Sequence, residues 1–517
     1  MGDFVHTHGP AYGDGNGALG GSTLEIQFDN QPEGSPLRGT VAADCNSIAW
    51  ESGTTWARAT PPPSPSPAPA WARDLSILEV NALAYTSPAG MGPEGSGSGT
   101  WAALTAKVPY WADLGITGIW LAYYNLATTH FYGIRSVYAA IDPPVLDPRL
   151  GAPEEFAAFV EAAHAAGVRV MCDVIGHGLV NESHYVAEHP TWFKGGSWGM
   201  IDYDYSSAEF RAWWAKTWTD YTLQSGVDGY RIDIADASWW HPVWDQITND
   251  TAAGGHPIAV WGEGSRYHFS QHDFIAPLRD VPSTLAGFVA RGEGCLATVQ
   301  FSCHDSGWES EPGNYFYLKG SRAELGYSGI LGPFIPLWLG GDEYNEDPVV
   351  DLPSLQEDLF GRSGKPGGWM YGSVRQWSQL DDVNSPQAAM RNDTRALLAL
   401  RAAHSDVLHH DACAAHLAAL PLASGALPLA PYARWAPGEK AVLVLATTGA
   451  ADVAVVAATP LAAMGLAGRG FYSVELLYGG PGGAQRVAEA DVLALKVTVP
   501  ADKAPGGGLA VVLITPA

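Results

Sequence analysis

Gly229-Tyr230-Arg231-Ile232-Asp233 reads as a short strand that ends in a carboxylate two residues after an arginine. Side chains alternate along a strand, so Arg231 and Asp233 emerge on the same side. A guanidinium within a few Å lowers a carboxylate's pKa by about 1–3 units, so this spacing predicts an ionised Asp233, suited to act as a nucleophile. Three further strand-like segments, Val170–Asp173, Ile258–Glu263 and Thr298–Asp305, also finish in acids. Glu263 follows Trp261 and Gly262 with no cation beside it in sequence, which predicts an apolar wall and a raised pKa. One ionised and one protonated carboxyl delivered to one place is what double-displacement cleavage of a glycosidic bond requires.

The elements that would deliver these acids repeat. From about 72 to 403, apolar strand-like runs alternate with amphipathic stretches. The strand candidates are Ile77–Tyr85, Ile116–Tyr123, Val168–Ile175, Gly229–Ile234, Ile258–Gly262, Phe269–Ile275, Ala297–Ser302 and Phe334–Leu339. Helices are predicted over Trp101–Leu114, Pro153–Ala166 and Ala208–Gln224, the last capped by Ser206 or Ser207 and stopped at Gly226. Apolar strands divided by helices imply a parallel sheet covered on both faces, and about eight repeats fit a (β/α)₈ TIM barrel of the α/β class. Residues 1–60 form a small β-rich unit with runs such as Ser22–Phe28 and Gly39–Ala43. The polyproline-type stretch 61–71 is a linker. After the helix Gln387–Ala403, short strands with Gly/Pro turns over 404–517 read as a C-terminal antiparallel β-sandwich.

A net charge of −26 disfavours nucleic acid, phosphates and anionic membrane surfaces as partners. It does not disfavour a neutral oligo- or polysaccharide, and 20 Trp and 21 Tyr supply flat faces on which sugars stack. The five cysteines follow no framework spacing and read as free thiols, which leans towards a reducing, cytoplasmic or organellar compartment. No apolar run reaches membrane-spanning length, and Met1–Pro10 carries no signal-peptide core. Gly95–Gly99 lacks the Lys-Ser/Thr ending of a phosphate loop and reads as a flexible loop. His409-His410, and His6 with His8, read as solvated loop residues in preference to metal ligands.

With these motifs in order, the chain resembles the α-amylase superfamily, glycoside hydrolase family 13. Asp173-Val-Ile-Gly-His177-Gly178 is similar to the motif closing strand three. Gly229–Asp233 is similar to strand four, Val260-Trp-Gly-Glu263-Gly to strand five and Phe301-Ser-Cys-His304-Asp305 to strand seven. Supporting matches are Gly115–Leu121, His130–Pro143 and Gly332–Gly341, and the set runs in order from 115 to 341. The resemblance implies Asp233 as nucleophile, Glu263 as acid/base and Asp305 as transition-state stabiliser. Asp173, His304, Arg231, His177 and Tyr132 are implied as substrate-binding residues. It implies a retaining α-glycoside hydrolase acting on α-glucosidic bonds. The alternatives are an α-glucan transglycosylase and a non-catalytic carbohydrate-binding protein on the same fold.

Departures matter as much. The family's Asn-His at the end of the strand-three motif is His177-Gly178 here. The Asn position often serves a structural calcium, so with His177 there a calcium stays an open alternative, and no other cofactor is expected. Gly178 cannot touch a sugar; His177 either substitutes for the missing His or packs internally. The Lys-His that often follows the nucleophile is replaced by Asp236-Ala237, which predicts a different leaving-side pocket. The inserted subdomain, near 178–205, is short. Its Trp192, Phe193, Trp198 and Tyr203 form either a sugar platform or a cover over the barrel mouth.

Overall fold

A computed structural model describes the backbone of residues 3–9, 13–20, 23–28, 37–41, 47–50 and 55–57 in the N-terminal region. From 66 onward it describes all residues except 89–96, 129–136, 198, 234–236, 264–265, 274–277, 293–295, 301, 305–319, 347–374, 410–414 and 503–504. Two of the residues singled out above, Tyr132 and Asp305, lie outside the described residues, as do Trp198, Asp236 and His410.

The chain divides into two compact units, Met1–Pro65 and Ser66–Ala517. In the first, six consecutive strands form an antiparallel meander, each pairing with the next.

The second unit is built on eight parallel strands: β1 (Ile77–Asn81), β2 (Gly118–Tyr123), β3 (Arg169–Ile175), β4 (Gly229–Asp233), β5 (Ala259–Glu263), β6 (Phe269–Asp273), β7 (Ala297–Gln300) and β8 (Ile335–Leu339). They close into a barrel in sequence order, β8 pairing with β1 through Leu337↔Ile77 and Leu339↔Glu79. Strand alternation sorts the side chains into two cores. Ile77, Trp120, Met171, Ala259, Trp261, Phe269, Ile335 and Leu337 fill the barrel interior. Leu78, Val80, Ile119, Leu121, Val170, Cys172, Tyr230, Ile232, Val260 and Val299 face the outer layer. The thiol of Cys172 therefore packs outside the barrel, where burial pushes its pKa well up.

Helices cover the outside: α1 (Val108–Leu114), α2 (Pro153–Ala165), α3 (Ala208–Ser225), α4 (Ala237–Ala253), α5 (Val281–Ala290) and α6 (Pro386–Ala403). The ends of α3 are set as the sequence predicts: the Ser207 hydroxyl accepts from Phe210 N, and Gly226 stops the helix at φ +76°. The strand–helix alternation breaks between β5 and β6, where only residues 264–268 intervene. His268 stands in for a covering helix there. Its backbone N–H donates to Val260 O, its Nδ1 accepts from Val260 N, and Nε2 lies 2.8 Å from Ser66 O. Burial pushes this histidine down to about 4, so it is neutral and Nε2 is the donor.

Beyond α6, a six-stranded antiparallel sheet and a three-stranded one enclose their own apolar core. Tyr432 ties this sandwich to the barrel unit by donating to Tyr327 O at 2.7 Å, and Tyr327 donates to Ala430 O at 2.6 Å.

Candidate active site

The interior of the barrel changes from apolar to polar towards the carboxyl ends of the strands. Trp120, Met171, Trp261 and Phe269 lie in the apolar layer. Two residues further along β3, β4, β5 and β6 come Asp173, Asp233 (after Arg231), Glu263 and Gln271. Parallel register brings them together, with Asp173 opposite Arg231 and Glu263 opposite Gln271.

Arg231 is the centre of this layer, at 1% exposure. Its Nη1 lies 2.5 Å from Asp233 Oδ1 and 3.3 Å from both Asp173 oxygens. Its Nη2 lies 2.9 Å from Glu263 Oε2, and Nε donates to Gln271 Oε1 at 3.3 Å. The guanidinium sits 5.2 Å from the Trp120 ring centroid, so an aromatic face backs the cation. A buried arginine whose three guanidinium nitrogens each reach a protein group anchors the carboxylates.

This geometry corrects the charge assignment read from sequence spacing. Arg231 does not serve Asp233 alone, and Glu263 does not lack a cation. Burial pushes Asp233 well above the ordinary carboxylate range; Arg231 opposes this, and Glu263 and Asp173 add to it. Burial also raises Asp173, against Arg231, His304 and the Tyr138 hydroxyl. Three carboxylates around one guanidinium oppose one another's ionisation. Glu263, with 30% of its side chain exposed against 10% for Asp233, is the more open of the pair.

His304 and Tyr138 complete the rim. The Tyr138 hydroxyl donates to Asp173 Oδ2 at 2.9 Å and lies 3.0 Å from His304 Nε2, with the two rings stacked at 5.2 Å. His304 Nδ1 lies 2.5 Å from Glu79 Oε1, and its backbone N–H donates to Glu79 Oε2 at 3.2 Å. Sequence reasoning missed Glu79, Tyr138, Gln271 and Trp120. Glu79 carried a legible signal, as the one charged residue in an otherwise apolar strand. Tyr138 did not, because only the fold brings its loop over β3.

His177 does reach the cluster, with Nε2 3.9 Å from Asp233 Oδ2 and Nδ1 3.9 Å from Asp202 Oδ1. Burial lowers its pKa against the pull of Asp202 and Glu263, so the ring is neutral. Calcium prefers a cage of oxygens. His177 offers an imidazole nitrogen, and among the described residues no three His, Cys, Asp or Glu side chains gather to hold a metal.

Gly178 has a local cause. It pairs with Asp202 in a short hairpin, and a Cβ at this position would lie 2.3 Å from Ile201 O. Only glycine permits that approach. Two of the aromatic residues of the same segment, Trp192 and Tyr203, pack inward. Trp192 stacks on His189 at 3.8 Å, and Tyr203 stacks on Phe210 at 4.7 Å. Both are at most 3% exposed, so they cover the barrel and are not a free sugar platform.

Residues 90–197 match the family Alpha amylase, catalytic domain. That match covers about a fifth of the chain. Among its relatives, the 1,4-alpha-glucan branching enzyme GlgB 2 of Xanthomonas campestris pv. campestris is 27% identical over 214 residues, 39% of this chain and 27% of that protein. The branching enzyme GlgB of Pseudomonas aeruginosa is 29% identical over 224 residues, 41% and 28% of the two chains. The chain thus spans about a quarter of the length of the curated relatives it matches. In fold, the chain is similar to an Anoxybacillus alpha-amylase with a TM-score of 0.63 at 13% identity, over 86% of this chain and 99% of that one.

Proposed function

We propose that this chain is a retaining enzyme of α-glucosidic bonds in oligo- or polysaccharides. Asp233 attacks the anomeric carbon, Glu263 protonates the departing oxygen, and Asp305 stabilises the oxocarbenium-like transition state. The observation that carries the reading is the single Arg231 guanidinium bridging Asp233 and Glu263. Two carboxyls held by one planar cation suit the short separation, about 5–5.5 Å, that double displacement uses. We assign the acid role to Glu263 because, as the more open carboxyl, it can draw its proton from solvent, while the close contact of Arg231 opposes the effect of burial on Asp233. Asp173, His304 and His177 position the sugar ring.

The leading activity is hydrolysis. The test is incubation with maltose, maltooligosaccharides, starch, isomaltose, sucrose and trehalose, following released glucose and the anomeric configuration of the first product. Asp233→Asn is expected to lose about a thousandfold or more, because a missing nucleophile removes the covalent route. Inversion at the anomeric carbon, or activity surviving that substitution, overturns the assignment.

A second reading, transfer of the glycosyl unit to another sugar, is favoured by the similarity to branching enzymes. Product analysis at high substrate separates the two. Longer or branched products mark transfer, and free glucose alone marks hydrolysis.

A further inference from the structure

Glu79, His304, Tyr138 and Asp173 form one hydrogen-bonded chain that ends on Arg231. Its protons can be counted. Asp173 accepts from Arg231 at both oxygens and from the Tyr138 hydroxyl, the behaviour of an ionised carboxylate, which only accepts. Tyr138 has one hydroxyl proton, and it is given to Asp173. The 3.0 Å contact between Tyr138 and His304 Nε2 then needs a proton from the histidine. The 2.5 Å contact between His304 Nδ1 and Glu79 needs a second. An imidazole carrying both protons is a cation, and Glu79, 1% exposed, is the carboxylate that compensates it.

We propose that Glu79 is a positioning residue that holds His304 as an oriented imidazolium and, through Tyr138, fixes Asp173 as the acceptor that steadies Arg231. Glu79 acts from strand β1 on Nδ1 of the ring, while Tyr138 meets Nε2. Its carboxylate grips His304 twice, at the ring and at the backbone N–H, so orientation and charge are set by one residue. Among the described residues, the groups facing the His304 ring are Glu79 from β1, Trp120 from β2 at 5.9 Å between centroids, and Tyr138 from its loop, with Asp173 of β3 next in line. The functional consequence rests on the reading of the site as a glycosidic one; the protonation state of His304 does not.

The test separates the two. In the full-length protein labelled with ¹⁵N-histidine, the His304 ring is assigned by the signal lost in His304→Asn. It is expected to show two protonated nitrogens at pH 7. In Glu79→Gln the ring is expected to become neutral at pH 7, with thermal unfolding monitored as a control. In activity, Glu79→Gln is expected to lose about 10–100-fold in kcat/KM, the contribution of a charge-assisted hydrogen bond. The alkaline limb of its pH profile should move to lower pH, and Glu79→Asp should recover part of both. A neutral His304 in the wild-type protein at pH 7 overturns the proposal. So does a Glu79→Gln protein whose ring stays doubly protonated. If Glu79→Gln does not fold, Tyr138→Phe serves instead. It is expected to leave His304 charged by Glu79 but to lower kcat/KM; a neutral ring there also overturns the proposal. Imidazolium signals in a protein inactive on every sugar tested would sustain the Glu79 assignment and sink the glycosidic reading alone.

Discussion

Arg231 Nη2 lies 2.9 Å from Glu263 Oε2 while Nη1 of the same guanidinium lies 2.5 Å from Asp233 Oδ1. Nucleophile and acid candidates therefore share one buried cation, and neither can be altered without changing the field at the other. Lysine offers a point charge in place of this fork. Arg231→Lys is expected to lose about a hundredfold or more in kcat/KM, because one ammonium cannot keep Asp173, Asp233 and Glu263 in register. Arg231→Gln, which leaves buried carboxylates uncompensated, is expected to cost about 3–5 kcal/mol in urea unfolding. Full activity in the lysine variant would contradict the bridging role.

Gly178 is fixed by backbone proximity. Gly178→Ala places a Cβ against Ile201 O and is expected to destabilise by about 1–3 kcal/mol, typical of overpacking. Hydrogen exchange should localise the loss to the hairpin of 178–180 and 200–202. Wild-type stability in this variant would show that the hairpin relaxes freely.

Trp192 packs between His189 and Trp213, 3.8 and 4.8 Å from their ring centroids. Trp192→Ala is expected to cost about 3–5 kcal/mol as a core truncation. Its KM for short maltooligosaccharides should stay within about twofold, since a buried ring contributes no sugar contact. A KM raised tenfold at unchanged stability would make Trp192 a platform after all.

Glu343 is fully buried beside β8, accepting from Tyr110 at 2.8 Å and Gly341 N at 2.6 Å. Burial outweighs these bonds and pushes its pKa up to about 6 from 4.5. The folded state thus binds this proton more tightly than the unfolded chain does. The resulting contribution, about 2 kcal/mol, is fully present below about pH 4.5 and is lost as pH rises through about 6. Urea unfolding from pH 5 to 7 should show this step in the wild-type protein and not in Glu343→Gln. A step that persists in the variant assigns it to another group.

Much of this protein is legible from residue order. Apolar strand runs separated by helices, capped at Ser207 and stopped at Gly226, dictate a parallel barrel, because period-2 and period-3.6 patterns are local. The positions of Asp173, Arg231, Asp233 and Glu263 on one side of their strands follow from the same alternation. The short β5–β6 connection was not legible, since His268 replaces a covering helix with two hydrogen bonds to Val260 and one to the distant Ser66. Charge was misread for a related reason. Sequence neighbours show which cation is next to Asp233 along the chain; parallel register decides that the same cation also meets Glu263. The chain order of acids and the need to place them at strand ends are properties of the sequence alone. Which carboxylate holds a proton, why Gly178 must be glycine, and that Glu79 governs His304 belong to the tertiary structure. Burial and through-space distance set those energies, and neither is a function of separation along the chain.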